Sequence, residues 1–196
     1  PVGVIINSGT YVNDEGDKCL SLKMFSGGEE KELLFDNDGA TDRTNGWIDG
    51  YVNRDTKNGV NPFSTGEVLQ YSERDGKCAA FRILLTKEQI YNNDYYEKNL
   101  ADYGALSEEL FYSELYTSLG IVDKKFSDKI LLMGNTVQGY LRTIPLNGSI
   151  YVYDRRTKVL IKGDNSDIEQ GGSVFVQMRY GLSLIHISEP TRHSLI

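Results

Sequence analysis

A hairpin signal in residues 63–85 most strongly constrains what this chain can fold into. Two apolar runs, Val68–Tyr71 and Ala79–Leu85, flank the dipeptide Asp75-Gly76. Asp-Gly between strand-like runs predicts a tight β-turn, because glycine adopts positive φ without steric cost. A related pattern, IEQGGSVFVQMRYG, returns in residues 168–181, with an apolar residue, glycines and a Val-led run in the same order. The sequence therefore predicts an all-β fold with a repeated unit.

Further echoes along the chain favour an internal duplication. Residues 119–122, LGIV, resemble residues 2–5, VGVI, and Lys129–Met133 follows a polar turn as Cys19–Met24 does. A repeat of this length predicts two copies of one small domain. The alternative is chance similarity, since short Gly-Val patterns recur in any all-β chain.

The predicted organisation is two small barrel-like or sheet units in tandem. Residues 1–88 form the first β unit, 89–114 a Tyr-rich acidic linker or excursion, and 115–181 the second β unit. No counterpart of the returning strand Ala79–Leu85 is found before Gly181, so the second unit is predicted to be truncated and to leave an open sheet edge.

Residues 182–196 are predicted to be a non-native tail. Leu182–Arg192, LSLIHISEPTR, resembles a translation of the transposase-end adapter used in DNA sequencing libraries, and such segments are set aside in fold reasoning. The run LSLIHIS is nevertheless apolar enough to occupy the open edge as a strand. Because the chain also begins at Pro1 without Met, both ends are expected to be cut from a longer reading frame.

Composition narrows the classes of function. Both histidines, His186 and His193, lie in the tail, which leaves the rest of the chain without histidine for acid-base or zinc chemistry. No nucleophile elbow, phosphate loop or dinucleotide motif is present, so the chain is predicted not to be an enzyme. The formal net charge is −7, with no cluster of Lys and Arg, which predicts that nucleic acid is not a partner. No apolar run reaches the length of a membrane span, and no signal peptide is visible.

The two cysteines lie in predicted strands of the first unit. Cys19 and Cys78 have no CxxC spacing. A cross-strand disulfide is geometrically feasible, but buried free thiols are favoured, because cysteine often acts as a small core hydrophobe.

Asp36, Asp38 and Asp42 form a candidate calcium loop. Oxygen ligands at alternate positions around Gly39 suit this ion, and no other cofactor is predicted. The match to an EF-hand loop is incomplete, because Leu34 falls at the first ligand position and Asn45 at the position of the bidentate Glu. An ordinary turn rich in Asp and Asn is the favoured alternative.

Trp47 and Tyr51 form a candidate carbohydrate platform. The sequence GWIDGY places the single Trp of the chain near a Tyr, and such rings can stack on a sugar. The favoured alternative is that Trp47 anchors a long loop by burial, since large aromatic side chains dominate burial energetics.

Two stretches resemble repeated β-barrel-like modules of bacterial cell-wall and S-layer-associated surface proteins. They are TGEVLQYSERDGKCAAFRILL, residues 65–85, and GSIYVYDRRTKVLIKGDNSDIEQGGSVFVQMRYG, residues 148–181, and Glu67 stands where such modules usually carry Asp. The resemblance implies an extracellular or cell-surface location and a non-enzymatic structural or interaction module, with a cell-wall polymer or other surface proteins as partners. The alternatives are a carbohydrate-binding module that uses Trp47 and nearby Tyr residues, and an accessory domain of a larger enzyme.

Overall fold

β-Strands make up nearly all of the regular structure. The computed structural model describes residues 1–43, 54–88, 115–133, 141–154, 156–179 and 182–188, and within them the elements with described bounds are thirteen strands and two 3-10 helices. The chain divides into two units, Pro1–Ile90 and Tyr91–Ile196. The predicted all-β fold with two tandem units is thus confirmed, whereas the predicted linker 89–114 lies entirely outside the described residues. In the described ranges, no helix has the length and apolarity needed to cross a bilayer.

The first unit is a closed five-stranded barrel with a short strand beside it. Its strands are β1 (Val2–Val12), β2 (Lys18–Ser26), β3 (Glu29–Leu34), β4 (Thr41–Asp42), β5 (Val68–Arg74) and β6 (Lys77–Leu85), with a 3-10 helix at Lys57–Gly59. β1, β2 and β3 form an antiparallel meander, and β5 pairs antiparallel with both β1 and β6. A parallel pairing of Leu34 with Lys77 joins β3 to β6 and closes the barrel, and β4 runs parallel to β6. A Greek-key barrel of five strands with this connectivity is the architecture of OB-fold domains.

The hairpin predicted from Asp75-Gly76 is present as the connection between β5 and β6. Both residues have positive φ, 53° for Asp75 and 76° for Gly76. Two successive positive φ angles define the mirror-image turn whose twist matches that of the flanking strands. The local sequence therefore fixes the register of the two strands that complete the barrel.

The second unit repeats this strand order and adds one strand, but within the described residues it has no pairing that corresponds to the closing one between β3 and β6. Its strands are β7 (Leu115–Lys125), β8 (Lys129–Met133), β9 (Leu141–Pro145), β10 (Ser149–Asp154), β11 (Val159–Gly163), β12 (Ser173–Arg179) and β13 (Leu182–Ser188), with a 3-10 helix at Asn165–Asp167. β7, β8 and β9 form the meander, β12 pairs antiparallel with β7 and β13, and β13 runs parallel to β10. β10 thus corresponds to β4, and β11 is an addition that pairs with β10.

The hydrogen bonds of the two units match residue by residue. The pairing of the first strand with the second skips one residue in each unit, Ile6 in β1 and Asp123 in β7. Beside that bulge, the same pair of backbone bonds recurs: Ile5 N donates to Glu67 O (2.9 Å) and Gly66 N to Ile5 O (2.8 Å), as Val122 N donates to Gly172 O (2.9 Å) and Gly171 N to Val122 O (2.8 Å). A bulge with the same neighbours at the same point of both units confirms the internal duplication, since bulges are specific features of a fold.

The two cores also correspond. When strand registers are superposed, eight buried positions of the second core have a counterpart in the first: Ile5 with Val122, Leu22 with Ile130, Met24 with Leu132, Leu33 with Ile144, Phe35 with Leu146, Phe63 with Ile168, Leu69 with Val174 and Tyr71 with Val176. The first core is the more aromatic. Its rings at Phe35, Phe63 and Phe81 pack with centroids 5.3 to 6.2 Å apart. Such pairs stabilise a core by about 0.5–1.5 kcal/mol beyond the burial of their area.

Replacing Gly171 with alanine is expected to lower the free energy of unfolding of the second unit by about 1–2 kcal/mol. Gly171 has φ of 83° and no atom lies within 4 Å of the position of an added Cβ, so the penalty is that of the left-handed backbone alone. Gly171→Asn is expected to be milder, because asparagine enters this region more readily. Denaturant titration of the two variants measures the difference. Equal midpoints for Gly171→Ala and the unaltered chain would contradict the assigned backbone conformation.

A buried ion pair fastens the start of β5 in the first unit. The Arg54 and Glu67 side chains are only 7% and 1% exposed, and they form two hydrogen bonds, of 2.6 and 2.8 Å. The Glu67 carboxylate also accepts from the backbone N of Ser64 (2.9 Å) and of Lys87 (2.8 Å), and Arg54 donates to Pro62 O at 3.0 Å. At the corresponding position of the second unit stands Gly172, so the two units differ here.

β13 consists of residues predicted not to be native. It lies between β10 and β12 and takes the place that β6 has in the first unit. Residues 182–188 thus occupy the edge that the sequence leaves open after Gly181. The prediction that these residues are not native stays a prediction.

Both cysteines are free and buried, as the sequence favours. Cys19 lies in β2 and Cys78 in β6. Burial raises the pKa of the Cys78 thiol to about 12. A thiol that stays protonated at neutral pH is a poor nucleophile, so Cys78 acts as a core residue.

Candidate functional site

A groove of about 730 Å³ opens at one end of the first barrel. It lies between the loop that joins β1 to β2 and the segment that follows β3, next to the first residue of β6. Its lining residues are Tyr11, Val12, Asn13, Asp14, Glu15, Asp17, Leu34, Asp36, Asn37, Asp38 and Lys77. The groove therefore combines one aromatic ring with amide and carboxylate side chains.

The β1–β2 loop is held by its own first residue. Asn13 Oδ1 accepts hydrogen bonds from the backbone N of Glu15 (3.1 Å) and of Asp17 (2.8 Å). Gly16 N donates to Asn13 O at 3.0 Å, and Gly16 has φ of 89°. A side chain that bonds the backbone two residues on is the device by which Asn stabilises turns. The turn leaves Asp14 and Glu15 exposed at the rim of the groove.

Tyr11 forms one wall and connects the two sides of the groove. Its hydroxyl donates to Phe35 O at 2.7 Å, across 24 positions of sequence. Burial is the main cause that raises the pKa of this phenol, so the hydroxyl remains a donor at neutral pH. The ring is therefore fixed in place, which suits it to contact a ligand with little loss of conformational entropy.

The groove carries a negative field. The described part of its lining has five carboxylates and one ammonium, which gives a formal charge of −4. The Asp36 carboxylate pairs with Lys77, and this hydrogen bond raises the pKa of the lysine. Among the described residues, Asp14, Glu15 and Asp38 have no hydrogen bond or ion pair through their carboxylates. These groups are available to donors from a ligand.

The structure brings together two of the three predicted calcium ligands. Asp36 and Asp38 both line the groove, but Asp42 lies in β4, opposite Phe81 of β6. Over the ranges that the structure describes, no group of three or more His, Cys, Asp or Glu side chains could hold a metal ion. Calcium binding by these residues stays a prediction.

The other predicted site residues lie elsewhere. Trp47 and Tyr51 fall outside the described residues, so the platform they were predicted to form stays a prediction. The sequence pointed to Asp36 and Asp38 but not to Tyr11, Asp14 or Lys77, which lie on other strands and loops. The available signal was the density of Asp and Asn in two separate turns, residues 13–17 and 36–38.

Comparison with known proteins shows no family. No family model matches the chain, and no curated protein matches it. One solved structure with which it aligns is "Structure of murine DNA binding protein bound with ds DNA", at 11% identity over 98% of this chain and 91% of that chain, with a TM-score of 0.22. A score that low carries no argument about function.

The prediction that nucleic acid is not a partner is corrected here. It was based on the absence of a Lys and Arg cluster, and the aligned structure is titled as a DNA-binding protein bound to double-stranded DNA. The exclusion of nucleic acid is withdrawn, and the alignment itself does not show that this chain binds DNA. Overall charge was the wrong basis for it, because a net charge of −7 does not determine the charge of an individual surface.

Proposed function

We propose that this chain is a non-enzymatic interaction module whose first barrel binds a neutral or amino-bearing oligosaccharide in the groove beside Tyr11. The observation that carries the proposal is the lining of the groove. A fixed aromatic ring offers an apolar face to a sugar ring, and carboxylates accept strong hydrogen bonds from hydroxyl and ammonium groups. The formal charge of −4 on the described lining favours neutral and cationic sugars over anionic ones.

The position of the groove on the barrel supports the same class of ligand. In OB-fold barrels, oligosaccharides and oligonucleotides bind over the second and third strands and the loops between strands one and two and between four and five. The β1–β2 loop and Lys77, directly after the β5–β6 turn, both line the groove. A role as part of a cell-surface or secreted bacterial protein belongs to this proposal, and the resemblance of residues 65–85 and 148–181 to surface modules supports it.

Calorimetric titration of the full chain with a cationic, a neutral and an anionic oligosaccharide tests the proposal. Glucosamine oligomers should bind more tightly than their N-acetylated counterparts, and galacturonate oligomers should not bind. The double variant Asp14→Asn and Asp38→Asn should lower the affinity for the glucosamine oligomer about tenfold or more, because two charge-assisted contacts are lost.

A matched control separates the groove from the general acidity of the chain. Glu29→Gln with Glu32→Gln removes two exposed carboxylates of β3 that do not line the groove, and it should leave affinity unchanged. Equal weakening by both double variants, or tighter binding of an oligonucleotide than of any oligosaccharide, would overturn the proposed ligand. Release of shortened sugars on incubation would overturn the non-enzymatic role.

A further inference from the structure

A second concavity lies on the side of the first barrel, across β5, β6 and β4. It has a volume of about 310 Å³ and is lined by Arg43, Gln70, Tyr71, Ser72, Ala80, Phe81 and Arg82. Among the described residues, the lining contains two arginines and no acidic side chain, in a chain whose formal net charge is −7. None of these residues lines the groove beside Tyr11, so the two concavities are separate.

Strand register explains why the two arginines lie side by side. Gln70 of β5 is opposite Arg82 of β6, and Asp42 of β4 is opposite Phe81. The backbone N of Arg43 donates to Phe81 O at 2.7 Å, which continues the parallel pairing by one residue and brings Arg43 next to Arg82. Neighbouring strands are about 4.8 Å apart, so the two side chains leave the sheet close together.

The shape of the cleft comes from alternation along the strands. Tyr71 and Phe81 belong to the core, so their neighbours along the strands, Ser72, Ala80 and Arg82, lie on the other face of the sheet, where Ala80 is only 9% exposed. Ala80 is opposite Ser72, and its single methyl group leaves a depression beside the arginines. The Gln70 side-chain oxygen accepts a hydrogen bond from Arg82 Nη2, which fixes the orientation of that guanidinium.

Two guanidinium groups that line one cleft can donate hydrogen bonds to the same oxyanion from two sides. Arginine forms paired, planar hydrogen bonds with carboxylate and phosphate oxygens, and it remains charged at all relevant pH values. Among the described residues, Arg43 forms no ion pair. The Ser72 hydroxyl adds a neutral hydrogen-bonding group to the lining.

The second unit provides an internal comparison. The register of β13 with β10 and β12 places Tyr151 at the position of Arg43, Leu184 at that of Ala80 and His186 at that of Arg82. The pair of arginines and the small floor residue are therefore specific to the first unit. The feature is not a by-product of the strand order that the two units share.

We propose that the cleft between Arg43 and Arg82 binds an oxyanion, namely the phosphate, sulfate or carboxylate group of a small molecule. This site prefers anions, whereas the groove beside Tyr11 prefers neutral or cationic groups. The first barrel thus offers two separate surfaces of opposite charge preference.

Titration of the full chain with inorganic phosphate, sulfate and acetate, followed by amide NMR at constant ionic strength with chloride as the reference ion, tests this site. Saturable shifts are expected at the amides of Ser72, Phe81 and Arg82 with at least one of the three anions. The anion whose shifts saturate at the lowest concentration is the preferred oxyanion. Arg43→Gln should lower the affinity for that anion about tenfold, which corresponds to the loss of one charge-assisted contact.

Two further variants separate a built site from general attraction. Arg74→Gln removes an equal charge at the exposed end of β5 and should change the affinity less than twofold, since no contact is lost. Ala80→Leu keeps both arginines but fills the floor of the cleft, and it should abolish saturation while the thermal unfolding midpoint stays close to that of the unaltered chain. Linear shifts without saturation, saturation at residues outside the cleft, or equal weakening by Arg43→Gln and Arg74→Gln would overturn the proposal.

Discussion

Replacing Glu67 with alanine is expected to lower the free energy of unfolding of the first unit by about 3–5 kcal/mol, because it leaves a buried arginine without its partner. The Glu67 carboxylate receives four hydrogen bonds, two from Arg54 and one each from the backbone N of Ser64 and Lys87. Truncation removes both acceptor oxygens and with them all four hydrogen bonds. The guanidinium of Arg54 would then lie over the Phe63 ring, 5.6 Å from its centroid, with only Pro62 O as a described acceptor.

Two comparisons distinguish burial of the pair from the mere presence of a salt bridge. Lys23 and Glu30 form an ion pair of the same length, 2.6 Å, but their side chains are 48% and 53% exposed. Glu30→Ala should therefore change the free energy of unfolding by less than about 1 kcal/mol. The double variant Arg54→Met with Glu67→Leu should recover most of the loss, because apolar side chains of similar volume need no buried partner. Denaturant unfolding measures all three, and equal effects of Glu67→Ala and Glu30→Ala would contradict the assigned burial.

Ending the chain after Gly181 is expected to abolish cooperative unfolding of the second unit. β13 lies between β10 and β12 and pairs with both, so its removal exposes the hydrogen-bonding edges of two strands at once. The buried residues Ile150, Val152, Val174 and Val176 of those two strands would lose the strand between them. The first unit has its own core and closed barrel, and its transition should remain unchanged.

A graft separates the need for a strand from the need for these particular residues. The shared register aligns Cys78–Leu84 of β6 with residues 182–188 of β13. Replacing LSLIHIS with CAAFRIL should restore a second cooperative transition in calorimetry, because it supplies a strand of the same length and hydrogen-bonding capacity. If the shortened chain retained both transitions, β13 would not be integral to the second unit.

Local sequence signals predicted the hairpins and the duplication. Asp75-Gly76 specifies its turn through the backbone freedom of two residues, so a window of four residues suffices. The echo between residues 2–5 and 119–122 holds in the structure, where Gly3 and Gly120 take equivalent places opposite Leu69 and Val174. The sequence similarity of Cys19–Met24 to Lys129–Met133 holds only after a shift of one residue. Strand pairing makes Leu132, and not Met133, the counterpart of Met24. Alternating strands with the same pattern do not reveal a shift of this kind.

The ion pair and the groove could not be predicted because they depend on barrel closure. Arg54 and Glu67 are 13 positions apart with no periodic relation, and Asp36 meets Lys77 across 41 positions. Sequence spacing alone pointed to Asp42 as a neighbour of Asp36. Pairing of β3 with β6 also brings Lys77 to the Asp36 carboxylate, and nothing in the sequence indicated that contact.

Hydrogen-bond scalar couplings measured by NMR test the central claim, that two sibling β units share one pattern of backbone bonds. Four couplings are predicted, from Ile5 N to Glu67 O, Gly66 N to Ile5 O, Val122 N to Gly172 O, and Gly171 N to Val122 O. Detection of all four would establish the same bulge with the same partners in both units. Couplings of Val122 and Gly171 to other residues, with only the first pair found, would contradict the duplication.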